Sequence, residues 1–224
     1  MQQGIRHWLS DFLTSEIALN NITGRKKLIV TLVFGMLALI AARLFFWGEI
    51  RAYLYRGYTE VREVKGSDWF DYPVGTPNAH GYYRAQGFGG SADHLGEDWN
   101  GVGGGNSDYG DPVYAIANGK VAFCENVRGG WGNVAMIVHP VCNGESPIEA
   151  VYAHLAEFRI REGQVVKQGQ IVGTIGDADG MYPAHLHFEI RRKPGLPLGG
   201  GYGSNDDGNF CDPTDFIDQH RKKP

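Results

Sequence analysis

Glycine is spread unevenly along this chain of 224 residues. Six of the 33 glycines lie in residues 1–74 and 27 lie in residues 75–224. The overall content is roughly twice the usual ~7%. A glycine inside a helix destabilises it by about 1 kcal/mol relative to alanine, so the second part is no helical bundle or long coiled coil. No three-residue glycine period occurs and there are only 10 prolines, which excludes collagen. Hydrophobic residues at 42% and aromatics at 12% suffice for a packed core, so global disorder is excluded too. Short Val- and Ile-rich runs at 112–117, 120–123 and 134–138, separated by turn sequences at 118–119 and 128–130, read as strands. The expected fold is therefore mostly β. A net charge of −4 gives no basic surface for nucleic acid.

The glycine-poor third carries a different signal. From Leu28 to Trp47 the chain is apolar except for Thr31, Gly35 and Arg43. As a helix this run spans about 30 Å, the thickness of a bilayer core. Arg43 and Trp47 suit one interface. Arg25, Lys26 and Lys27 precede the run and place residues 1–27 in the cytoplasm. Residues 28–47 are thus read as a single transmembrane signal anchor in the cytoplasmic membrane, with the rest of the chain on its outer side. A cleaved signal peptide ending near Ala42 and a buried soluble helix are the other readings. In residues 49–66, apolar positions recur every three to four residues, which predicts a short helical stalk. Residues 48–72 are read as a juxtamembrane connector, 73–219 as the functional domain and 220–224 as a tail.

Four of the eight histidines carry the chemistry. The run from His185 to Ile190, HLHFEI, alternates without a break. In a strand this puts His185, His187 and Glu189 on one face and Leu186, Phe188 and Ile190 on the other. Two imidazoles side by side fit a metal or an acid–base pair. Glu189 reads either as a partner that orients His187 or as a solvated charge. In the segment HLGED, His94 and Asp98 lie four apart between glycine-rich stretches, where a bend is expected and where both side chains can converge on one cation. With one imidazole from the HLH run they make a His2Asp set with a fourth position open, the arrangement of catalytic zinc sites. Glu97 reads as a surface residue. His154 closes a short strand, VYAHL. His80, His139, His7 and His220 have no assigned role.

Taken together these segments resemble the lysostaphin/LytM-type zinc metallopeptidases that cut peptidoglycan peptides. The resemblance covers about residues 80–217 in six ordered blocks: HLGED at 94–98, GDPVYAIANGKV at 110–121, WGNVAMIVH at 131–139, YAHL at 152–155, GQVVKQGQIVGTIG at 163–176 and AHLHFEIR at 184–191. It implies an antiparallel β-sheet catalytic domain. It also implies Zn2+ held by His94, Asp98 and His187, with His154 and His185 as the two catalytic histidines. One of them would take the proton of the attacking water and the other would stabilise the oxyanion. All five positions are filled, which points to an active endopeptidase acting on peptidoglycan stem peptides and cross-links. A catalytically silent envelope protein that binds peptidoglycan or activates another hydrolase is the alternative. An envelope or secretion machinery is a further partner class.

Residues 163–176 read as a strand–turn–strand hairpin. Three cysteines, Cys124, Cys142 and Cys211, allow one disulfide in an exported domain, and Cys124–Cys142 is the pair nearest in sequence. The glycine-rich runs at 87–90, 101–105 and 199–203 read as loops, either flanking a peptide groove or simply flexible.

Overall fold

The computed structural model describes residues 24–54, 61–91, 93–142, 144–199, 201–205 and 207–221. Residues 1–23 of the expected cytoplasmic segment, with His7, the middle of the expected stalk and the last three tail residues lie outside these, as do the side chains of Arg25, Lys26 and Lys27. The chain divides into two compact units after Phe46.

Gly24–Leu54 is one helix. Its described side chains include Leu28, Leu32, Met36 and Leu39, all exposed. The unbroken run of described side chains covers only residues 28–43. Among the described residues, no helix is long and apolar enough to cross a membrane. The span expected over 28–47 is therefore not shown. Of the stalk expected over 49–66, residues 49–54 are helical, 55–60 lie outside the described residues, and residues 61–64 form a turn closed by Val64 N donating to Val61 O. Val61 and Val64 are buried in one apolar cluster with Phe123 and Met136.

The second unit is a ten-stranded sheet. Its strands are β1 (Tyr82–Gln86), β2 (Glu97–Gly101), β3 (Pro112–Tyr114), β4 (Gly119–Arg128), β5 (Gly132–His139), β6 (Ile148–Phe158), β7 (Val165–Val166), β8 (Ile171–Ile175), β9 (Leu186–Arg191) and β10 (Phe210–Cys211). The main order is β1-β2-β9-β6-β5-β4-β7; β10 extends from β9, and β8 joins β6 to β3. Every pairing is antiparallel, as the β reading requires. A helix, Pro213–His220, follows β10; Asp212 caps it and Pro213 opens it.

Period-two alternation builds two apolar layers. On β5, Ala135 and Ile137 enter one layer while Val134, Met136 and Val138 enter the other. On β6, Ala150 and Tyr152 oppose Val151 and Ala153 in the same way. The central strands are therefore covered on both faces.

Two sequence expectations fail on pairing geometry. Residues 163–176 do contain two strands, but they do not pair with each other. Val165–Val166 pairs with β4, and Ile171–Ile175 pairs with β3 and β6. The Cys124–Cys142 disulfide is absent and all three cysteines are free thiols. Cys124 faces Ala135 in mid-ladder, whereas Cys142 lies beyond the end of β5, so the ladder holds them apart.

Candidate metal centre

Strand register brings the predicted site together. β2 lies against β9 with Asp98 opposite His187, and His187 is opposite Ala153 on its other neighbour, β6. Cross-strand partners share a face, so Asp98 and His187 project to the same side. Asp98 lies on a strand, where a bend was expected. His94 precedes that strand in a bridge to Tyr202. Between them, Gly96 packs so closely on β9 that an added Cβ would sit 2.5 Å from the Phe188 carbonyl oxygen. Only glycine permits the approach that brings His94 over β9.

The ligating atoms of His94, Asp98 and His187 all lie within 4.8 Å of one another. His187 Nδ1 is 3.0 Å from both Asp98 Oδ1 and His94 Nε2, and His94 Nε2 is 3.4 Å from Asp98 Oδ1. The outer nitrogens are held as well. His94 Nδ1 donates to Gly87 O at 3.3 Å, and His187 Nε2 donates to Glu189 Oε1 at 3.1 Å. Each ring thus turns its other nitrogen inward, which is how metal-binding histidines are oriented.

Glu189 is fully buried, so the solvated-charge reading fails. Its second oxygen accepts from Arg191 Nε at 2.8 Å. Arg191 also approaches buried Glu149 at 3.5 Å. The two imidazoles and one carboxylate gathered within 4.8 Å fit a divalent metal in ligand type.

The electrostatics follow from these neighbours. Burial opposes the charged form of His187, but the Asp98 and Glu189 carboxylates outweigh it and push its pKa up. Burial would raise the Asp98 carboxyl, yet His187 and His94 hold it well below the usual carboxylate range. Burial, with His187 and His185 beside it, pushes His154 down to about 3.

The predicted catalytic histidines border the same cleft, a space of about 460 Å³. Their rings lie 4.6 Å apart, centroid to centroid. His185 Nε2 is 3.7 Å from Asp98 Oδ1. His185 Nδ1 is 2.8 Å from Pro183 O, and His154 Nδ1 is 3.2 Å from Trp131 O. A carbonyl only accepts, so in both rings Nδ1 carries the hydrogen. In its neutral form a ring held this way presents Nε2 as a lone pair. A ring in this form accepts a proton. It can donate to an oxyanion only after it has been protonated.

Sequence reasoning missed four contributors. Trp131 sets its ring edge-on to His187 at 5.3 Å, and its Nε1 donates to Gly199 O at 2.7 Å. Tyr182 and Tyr202 form the remaining aromatic walls. Gly201, at φ +74°, passes where a Cβ would sit 3.6 Å from His187 Cε1. The run of glycines around 200 was the available signal for that close approach. Glu97, read as a surface residue, is fully buried. It accepts from Arg84 at 3.0 Å, Trp99 Nε1 at 3.1 Å and Thr214 Oγ1 at 3.0 Å, and it takes no part in the metal set.

Residues 97–199 match the family described as "Peptidase family M23". This stretch includes Asp98, His154, His185 and His187; His94 lies just outside it. The chain is 38% identical over 84 residues to "Lipoprotein NlpD" of Yersinia enterocolitica, covering 38% of this chain and 80% of that protein. It is 40% identical over 82 residues to "DD-carboxypeptidase/endopeptidase Mpg" of Neisseria meningitidis serogroup B, covering 37% of this chain and 17% of that protein. It is 37% identical over 84 residues to "Murein hydrolase activator NlpD" of Salmonella dublin, covering 38% and 21%. The similarity thus spans four-fifths of the first relative and about a fifth of the other two.

Proposed function

Because the chain belongs to peptidase family M23, we propose that it is a zinc-dependent endopeptidase that hydrolyses peptide cross-links of peptidoglycan. The observation that carries this reading is the convergence of His94, Asp98 and His187 within 4.8 Å, beside two histidines with free Nε2 lone pairs. Bound by those three residues, zinc would supply Lewis acidity, bringing a water's pKa toward neutrality and polarising a peptide carbonyl. The chain's own residues do the rest. His185 Nε2, the nearer to Asp98, accepts the proton of the attacking water. Pro183 O holds the ring by Nδ1 throughout, so the same Nε2 can return the proton to the leaving amine nitrogen. His154 presents a second lone pair, its ring oriented by the Trp131 carbonyl at 3.2 Å from Nδ1. Trp131, Tyr182 and Tyr202 wall the cleft and limit water around the peptide.

Residues 28–47 act in this reading as a membrane anchor that keeps the peptidase on the periplasmic side. The apolar run, interrupted only by Thr31, Gly35 and Arg43, and the exposed leucines of the helix support it. A periplasmic reporter fused after residue 70 should be active, and activity only in the cytoplasm would reverse the orientation.

Purified peptidoglycan is incubated with the full-length chain, with and without a strong chelator, and the products are identified by mass. Release of cleaved cross-links that stops with chelator and returns with zinc is the expected result. Hydrolysis that persists in chelator sinks the zinc reading. A second reading follows from the name of the Salmonella relative: a catalytically silent activator of another hydrolase. It gains support if a His187→Ala variant stimulates a separate hydrolase as well as the unaltered chain does.

A further inference from the structure

Behind the metal centre lies a charged group that the reaction does not touch. Arg191 is essentially unexposed, as are Glu189 and Glu149. Its Nε and Nη2 meet a single oxygen, Glu189 Oε2, at 2.8 and 2.7 Å. Its Nη1 donates to Leu196 O at 3.1 Å and faces Glu149 Oε1 at 3.5 Å. Glu149 is tied in turn by Gly195 N at 3.1 Å, and the Phe210 ring lies 5.4 Å from the guanidinium carbon. Buried ion groups of this kind often add no net stability over apolar residues of equal volume, so stability alone does not account for it. Its one exit toward the cleft is Glu189 Oε1, which accepts from His187 Nε2.

We infer that Arg191 is a positioning residue that sets the metal affinity of the site by holding Glu189 in the orientation His187 requires. This rests on the zinc reading above. By gripping Oε2 with two donors, Arg191 prevents the carboxylate from rotating and leaves Oε1 aimed at Nε2. Nε2 then keeps its hydrogen, and the His187 lone pair stays on Nδ1, facing Asp98 and His94.

The arrangement makes an unusual prediction for the near-isosteric Glu189→Gln. Arg191 has only donors, so it captures the amide oxygen and turns the amide NH2 toward His187 Nε2. Donor then faces donor, and the ring is driven to carry its hydrogen on Nδ1, where the metal must bind. Adding Arg191→Met frees the amide to turn over and offer its oxygen to Nε2.

Zinc affinity is measured on the full-length chain in detergent, by competition with a chromophoric chelator, alongside thermal unfolding. Glu189→Gln should weaken zinc binding by about 10- to 100-fold. Glu189→Gln with Arg191→Met should recover most of that loss, a pattern that a purely structural role does not produce. Arg191→Lys keeps the charge but lacks the two-donor grip, and it should fall between wild type and Glu189→Gln. Wild-type affinity in both Glu189→Gln and Arg191→Lys overturns the inference, as does a folded double variant with no recovery. If the double variant does not fold, Arg191→Lys decides alone: reduced affinity supports the inference and wild-type affinity overturns it. Failure of the unaltered chain to bind zinc is a separate result, and it overturns the zinc reading itself.

Discussion

Asp98 and His187 are register partners on neighbouring antiparallel strands, with Oδ1 of one 3.0 Å from Nδ1 of the other. The pair is therefore fixed by backbone pairing rather than by loop conformation, and the ligand set is preorganised. Removing either side chain by His187→Ala or Asp98→Ala should abolish peptidoglycan hydrolysis and zinc retention while the sheet persists. Product analysis, metal content and circular dichroism check this. Undiminished hydrolysis in either variant would count against the three-residue site.

His154 and His185 should separate from the ligands when hydrolysis and metal content are measured together. Neither is needed to complete the His2Asp set. His154→Ala and His185→Ala are expected to lower kcat/KM by about 10²- to 10⁴-fold, the usual range for a lost proton-transfer group. Zinc content should remain near that of the unaltered chain. A variant that loses its zinc in step with its activity would belong with the ligands instead.

Two glutamates show how far the sequence could be read. On β9 the alternation from His185 to Ile190 is unambiguous, and Leu186, Phe188 and Ile190 do enter the core. What alternation cannot reveal is whether the polar face is covered. Glu189 is buried because Arg191, and behind it Glu149, 40 residues away in sequence, pack around it. Glu97 is buried because Thr214, 117 residues away, closes over it. Partners so distant leave no local periodicity. The same holds for Val165–Val166, whose β4 partner no turn sequence announces. The five site residues were legible because each sits in a short pattern; their supports were not.

Glu97 accordingly should behave as a structural residue. Glu97→Ala leaves Trp99 Nε1 without its hydrogen-bond acceptor and releases Thr214 at the start of the last helix. The expected loss is about 1–3 kcal/mol of stability, the cost of a buried polar group left unsatisfied. Denaturant unfolding measures it. Zinc affinity and kcat should stay within about twofold for the folded fraction, well below the 10- to 100-fold loss given by a group that supports a metal ligand. A collapse of zinc affinity without a stability change would make Glu97 part of the centre.

His139 supplies a pH dependence that is independent of the metal set. It is fully buried, Nδ1 lies 3.0 Å from Asn118 O, and Nε2 has no hydrogen-bond partner among the described residues. Burial pushes its pKa down to about 4. The unfolded chain binds a proton near ~6.5, so between about 4 and 6.5 the unfolded state holds more protons than the folded one. Stability from this group is complete above ~6.5 and is lost as pH falls toward 4, by an amount of order 3 kcal/mol. Denaturant unfolding of the unaltered chain and of His139→Gln, compared from pH 7 to pH 4, isolates it. The two stabilities should converge as pH falls, because the variant has no imidazole to protonate. A constant gap across the range would show that His139 takes up its proton equally in both states.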